Sequence, residues 1–148
     1  MKKALFLTIL LFSTLTGGYP QAASILLIDQ DTRHISKHDV TYVFDGDTFA
    51  IGNTRIRVWG IDTPEKGQPY AEAAKKRLEA LLNADLQCIK KDIDKYGRIV
   101  AQCKNQSYDI GAVLVAEGLA KDFTFFSKGF YKPDERNAKK LRLNIWSN

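Results

Sequence analysis

Two pairs of acids dominate the chemistry this chain could perform. Asp45 and Asp47 sit in Asp45-Gly46-Asp47-Thr48, and Asp62 and Glu65 in Asp62-Thr63-Pro64-Glu65. Each run directly follows a predicted strand, where side chains are held firmly yet can still reach a pocket. Singly, either run is ordinary turn chemistry, since Asp-Gly and Thr-Pro favour turns. Together they pose an electrostatic problem, because close carboxylates repel one another and would repel any phosphate. A bound cation resolves it by neutralising the acids and attracting an anion. The ligand atoms on offer are carboxylate and carbonyl oxygens with no His or Cys beside them. That donor set suits calcium or magnesium rather than zinc.

Two arginines complete the set. Arg57 lies on the stretch between the acidic runs, and Arg98 closes Asp94-Lys95-Tyr96-Gly97-Arg98. The second run reads equally well as a charged hairpin turn. Arg98 nevertheless opens a strand just past a glycine, a position suited to presenting a rigid fork. Two such forks could grip phosphate oxygens bidentately and stabilise charge that builds up during phosphoryl chemistry.

The elements that must position these groups are mostly β. Val40 to Phe44, Thr48 to Ile51 and Thr54 to Gly60 read as strands, with Asp45-Gly46 and Gly52-Asn53 as turns. In the third, Ile56 and Val58 share one face while Arg55, Arg57 and Trp59 take the other, so Arg57 should point away from the core. Apolar residues at helical spacing predict a helix over Pro69 to Asn83. Leu86 to Lys91 and Arg98 to Lys104 read as a strand pair. Asp109 to Glu117 reads as a helix with Gly118 as its C-cap, and a last helix should run from about Pro133 through Leu141. The expected fold is α+β, a five-stranded OB-type barrel with about three helices, a shape that often binds oligonucleotides.

These motifs, in this order and spacing, resemble the staphylococcal nuclease (thermonuclease) family over roughly Asp39 to Trp146, including the closing Leu143-Asn144-Ile145-Trp146. The resemblance implies that Asp47 and Asp62 ligate Ca2+ through their carboxylates and Thr63 through its backbone carbonyl, with Asp45 supporting the metal's waters. It implies that Glu65 orients or deprotonates the attacking water and that Arg57 and Arg98 bind the scissile phosphate. Lys95 and Tyr96 are candidate substrate contacts. The implied activity is an endonuclease that hydrolyses DNA and RNA to 3′-phosphate products. Two departures from the family pattern stand out. Lys66-Gly67-Gln68 is a shorter link than the family prototype's loop, and Phe123 to Tyr131 aligns ambiguously. The aromatics there could stack bases or pack beneath the last helix.

Composition sets the wider frame. The chain has 148 residues with 45% hydrophobic content, enough for one packed domain. Lys2 and Lys3 precede an apolar run, Ala4 to Leu15, and Gly17, Gly18 and Pro20 follow. A run of about 12 apolar residues falls short of the roughly 20 that span a bilayer, so residues 1–23 are expected to be a signal peptide. Residues 24–38 form a lead-in of open role, and 39–148 the domain. Losing Lys2 and Lys3 with no acid lowers the formal charge from +5 to +3, a modest basic balance compatible with a polyanion. The expected location is secreted or periplasmic, with no stable membrane association after processing, and the expected state is monomeric. Export also favours a disulfide between Cys88 and Cys103, which fall on the two strands of one predicted hairpin. The competing function is a non-catalytic OB module that binds nucleic acid or protein. Such a module does not require the acids and arginines that this chain carries.

Overall fold

A computed structural model describes residues 32–147; the expected signal peptide and the first part of the lead-in lie outside them. Thr32–Ile35 form β1, Val40–Val43 β2, Thr48–Ile51 β3, Thr54–Val58 β4 and Ile61–Asp62 β5. Helix α1 spans Ala71–Leu81, followed by β6 at Leu86–Ile93 and β7 at Ile99–Lys104. Then come α2 (Ile110–Ala116), β8 (Lys121–Asp122), α3 (Thr124–Ser127), α4 (Lys132–Lys140) and a closing 3-10 turn at Asn144–Trp146.

Six strands form one curled sheet in the order β1-β6-β7-β4-β3-β2, and β5 pairs with β8 in a second small sheet. The five expected strands are all present, so the OB-type α+β architecture holds. β4 and β7 run parallel, with Arg57 beside Val100; the other pairs in the large sheet are antiparallel. The sixth strand is β1, drawn from what reads in sequence as a lead-in. Only its last residue, Ile35, is buried, so the segment carries no alternation to announce it.

The core fills the concave side of the sheet beneath the helices. Phe49, Ile56, Val58 and Ile61 meet Leu78 of α1 and Ile110, Leu114 and Val115 from α2 there, each almost wholly buried. Burying side chains of this size contributes roughly 1.5–3 kcal/mol apiece. The alternation expected of β4 is present: Ile56 and Val58 are buried while Arg55 is exposed and Arg57 half-buried. Cys88 and Cys103 face each other across β6 and β7 and form a disulfide.

Three expectations need correction at element ends and in helix number. The first helix begins at Ala71 rather than Pro69, because Tyr70 takes a left-handed φ of 68° at its N-cap. β6 extends to Ile93, so the hairpin turn is only Asp94 to Arg98. A fourth helix, α3, lies within the aromatic segment, fastened by the buried Asp122, which accepts from Thr124 Oγ1 at 2.8 Å and from Ser127 Oγ. Among the described residues no helix is long and apolar enough to cross a membrane.

Candidate active site

The Asp45-Gly46-Asp47 turn is held in place by close packing. A Cβ on Gly46 would lie 2.6 Å from Ala74 Cβ and 3.0 Å from Thr63 Cβ, so only glycine lets the turn approach α1 and Thr63. Asp45 closes the turn by accepting from the Asp47 amide at 3.0 Å. The Asp47 carboxylate is thereby buried, at 4% exposure, and its oxygens are well engaged. Oδ1 accepts from Arg57 Nη1 at 2.7 Å and from Thr48 Oγ1 at 2.9 Å, and Oδ2 accepts from Thr63 Oγ1 at 3.1 Å.

Burial drives the pKa of Asp47 up from 3.8 to about 6, and repulsion from Asp45 adds to the rise. Arg57 and the two hydroxyls pull in the opposite direction without overcoming it. The buried anion is therefore short of positive charge.

Arg57 is shared. Its Nη1 serves Asp47, while Nη2 donates to the Ile61 carbonyl at 3.3 Å and lies 3.8 Å from Asp62 Oδ1. Asp62 is exposed and sits on β5, whose pairing with β8 puts it opposite Lys121. Gly60, with φ 73°, makes the bend from β4 to β5; its carbonyl accepts from the Phe123 amide at 2.9 Å. A Cβ there would come within 3.0 Å of Ser127 and 3.1 Å of Tyr131, so the bend also fixes the aromatic segment against the site.

Arg98 is positioned by Asp94, a residue to which the sequence reading assigns no role. Asp94 Oδ1 accepts from the amides of Tyr96 and Arg98, and Oδ2 accepts from Arg98 Nε at 2.7 Å. Burial alone would raise the Asp94 carboxyl, but these bonds from Arg98 and the turn amides hold it below its ordinary value. Arg98 Nη1 in turn donates to Thr48 Oγ1 at 3.3 Å. A continuous path, Arg98 to Thr48 to Asp47 to Arg57, thus ties the two arginines together through the buried acid. Thr48 is the second residue that sequence reasoning missed.

Arg57, Glu65 and Arg98 line one groove of about 810 Å³, together with Lys95, Tyr96, Phe123 and Phe126. Glu65 is exposed, and its amide donates to Gln68 Oε1 at 2.8 Å, which fixes the tight turn over Lys66-Gly67. Lys95 and Arg98 both lie against the Tyr96 ring, at 5.0 and 5.4 Å from its centre. The aromatic segment divides between the two roles expected for it. Tyr131 is fully buried and donates from its hydroxyl to Asp109 at 3.0 Å, whereas Phe123 and Phe126 face the groove. Lys91 and Trp59, not singled out in the sequence, also line it.

The residues fit a hard cation in donor chemistry. Asp47 and Asp62 offer carboxylate oxygens around one guanidinium, and burial of the Asp47 charge is a state that a cation relieves. Among the described residues no three His, Cys, Asp or Glu side chains gather closely enough to hold an ion by themselves. A cation there would need further oxygen donors, such as backbone carbonyls and water, which hard cations accept.

A family model described as a staphylococcal nuclease homologue matches residues 55–148. The match starts after the Asp45–Thr48 run, which is tied to the matched region by Arg57, Thr63 and Arg98. The chain is 28% identical to the micrococcal nuclease of Shigella flexneri, over 85% of this chain and 82% of that protein. It is 33% identical to the thermonuclease of Staphylococcus hyicus, over 75% of this chain and 76% of that protein. It is 36% identical to the SPbeta prophage-derived endonuclease YokF of Bacillus subtilis strain 168, over 70% of this chain but 41% of that protein's length.

Proposed function

Because the chain belongs to the staphylococcal nuclease family, we propose that it is an exported, calcium-dependent endonuclease that hydrolyses DNA and RNA to 3′-phosphate ends. The observation that carries this reading is the convergence of Arg57, Glu65 and Arg98 on one groove, with Asp47 bonded to the first arginine. The oxygen donors suit calcium and magnesium alike, and the choice of calcium follows the family resemblance. Export rests on the basic and apolar pattern of residues 1–23.

In this reading Arg57 and Arg98 hold the non-bridging oxygens of the scissile phosphate and stabilise the charge that grows on them. Each fork is preset by a carboxylate, Asp47 for one and Asp94 for the other, so little reorganisation is needed when substrate arrives. Glu65 orients the attacking water and accepts its proton, leaving the water oxygen bonded to phosphorus. The bond to the 5′-oxygen then breaks, and that oxygen takes a proton from solvent and leaves as a hydroxyl. Asp47, Asp62 and the Thr63 carbonyl would hold the cation, which supplies positive charge to the phosphate and acidifies water. Lys95 and Tyr96 border the path of the substrate.

Incubating the purified mature chain with single-stranded DNA, duplex DNA and RNA, each with calcium, magnesium or chelator, tests the proposal. Cleavage with metal, none with chelator, and phosphate on the 3′ ends are expected. Binding without cleavage under every metal would leave the non-catalytic OB module standing instead.

A further inference from the structure

A second aromatic site lies across the Glu65 turn from the groove. Tyr42, on the outer strand β2, and Phe44, just past its end, flank the buried Val43 and are 57% and 37% exposed. Their rings meet edge to face at 4.9 Å. Each carries a cation: Arg55 lies 4.4 Å from the centre of the Phe44 ring, and Lys75 5.4 Å from that of Tyr42. Between this pair and the first turns of α1 is a pocket of about 280 Å³, bounded also by Asp45, Pro64, Lys66 and Glu72.

The pocket adjoins the catalytic groove through shared chain. Glu65 faces the groove, while the very next residues, Lys66, Gly67 and Gln68, face the pocket. Asp45, which closes the turn that holds Asp47, forms part of its wall. The two rings are exposed and lie outside the buried core, which Val43 between them joins. Exposed aromatics interleaved with cations are what unpaired bases and their phosphates require. Arg55, Lys66 and Lys75 outnumber the local acids Asp45 and Glu72, so the balance favours a polyanion.

We propose that Tyr42 and Phe44 form a second base-stacking subsite, which takes an unpaired base on the opposite side of the scissile phosphate from Tyr96, Phe123 and Phe126. It rests on the nuclease reading above. An extended single strand would cross the site with bases held on both sides, whereas a duplex, whose bases are already stacked, would gain nothing from the pair.

The test uses Tyr42→Ala and Phe44→Ala in the full mature chain and fluorescently labelled decathymidylate, with chelator present so that binding is read without cleavage. Three further decamers keep every phosphate but lack the bases of the 5′ half, the 3′ half or both. Each variant should bind decathymidylate roughly tenfold more weakly than wild type. That penalty should persist on one half-abasic decamer and vanish on the other and on the fully abasic one. With calcium, the loss should appear in KM for the single strand and leave KM for duplex DNA within twofold. Equal penalties on all four decamers, or none on any, would overturn the subsite. Wild type that neither binds nor cleaves any nucleic acid would instead overturn the nuclease reading itself.

Discussion

Arg57 donates to the buried Asp47 carboxylate at 2.7 Å while its other nitrogen stays 3.8 Å from the exposed Asp62. One guanidinium is thus the standing counter-charge of an acid that burial has driven toward neutrality.

Arg57→Ala should therefore affect stability as well as activity. It leaves Asp47 without its main positive partner, which should cost about 2 kcal/mol. A cation bound beside Asp47 would supply the missing charge, so calcium should raise the thermal midpoint of the variant more than that of wild type. Thermal unfolding of both proteins with calcium and with chelator measures the difference. An equal calcium effect in the two would place the ion away from Asp47.

Glu65→Gln should behave in the opposite manner. The side chain is exposed, and the bond from Glu65 to Gln68 is donated by its backbone amide, which the substitution keeps. Turnover should fall by about 10²–10⁴-fold with the melting temperature unchanged. Parallel kinetics and calorimetry read both quantities, and unchanged turnover would remove Glu65 from its role.

Acid sensitivity should be traceable to Glu135 on α4. Its buried carboxylate is met by Lys132 Nζ at 2.6 Å and Lys139 Nζ at 3.3 Å. Burial would raise its pKa, but the two lysines outweigh burial and hold it below the ordinary 4.5. The folded state thus binds this proton less readily than the unfolded chain, so the contribution is fully present above about pH 4.5 and is lost as pH falls through the lower folded value. Glu135→Gln should flatten the acid limb of the stability curve and cost about 1 kcal/mol at neutral pH. Urea unfolding from pH 7 down to pH 3 checks the sign.

Reduction of the Cys88–Cys103 bridge should destabilise the fold by roughly 3 kcal/mol, given a separation of 15 residues. The bridge joins β6 and β7, and neither cysteine borders the groove, so kcat at low temperature should be retained. Comparing activity and thermal unfolding with and without reductant distinguishes the two effects.

Much of this site was legible in the chain because its parts are local. Alternation in β4 announced the outward face of Arg57, and glycine turns announced the strand ends. Long-range pairings were not legible. β1 joins β6 through backbone bonds and buries one residue, leaving no side-chain pattern to read. Tyr131 joins the core through partners distant in sequence: Asp109, 22 positions earlier, accepts its hydroxyl, and Trp59 meets its ring. Asp94 lay inside a recognised run, and its spacing of four from Arg98 was a usable signal that chemistry-first reading passed over. Thr48 acts between Asp47 and Arg98, a relationship that exists only once β3 and β7 sit on either side of β4.

The parallel seam between β4 and β7 also sets the order in which the parts of the site can come together. Arg57 enters from one side of that seam and Arg98 from the end of the other, while Asp62 relies on β5 finding β8. Both pairings join segments about forty or more positions apart and cannot be assembled from neighbouring hairpins, so their loop-closure cost is met late. A nascent chain that has emerged only as far as α1 already carries every candidate metal ligand and Glu65, yet it lacks the second fork and half of each seam.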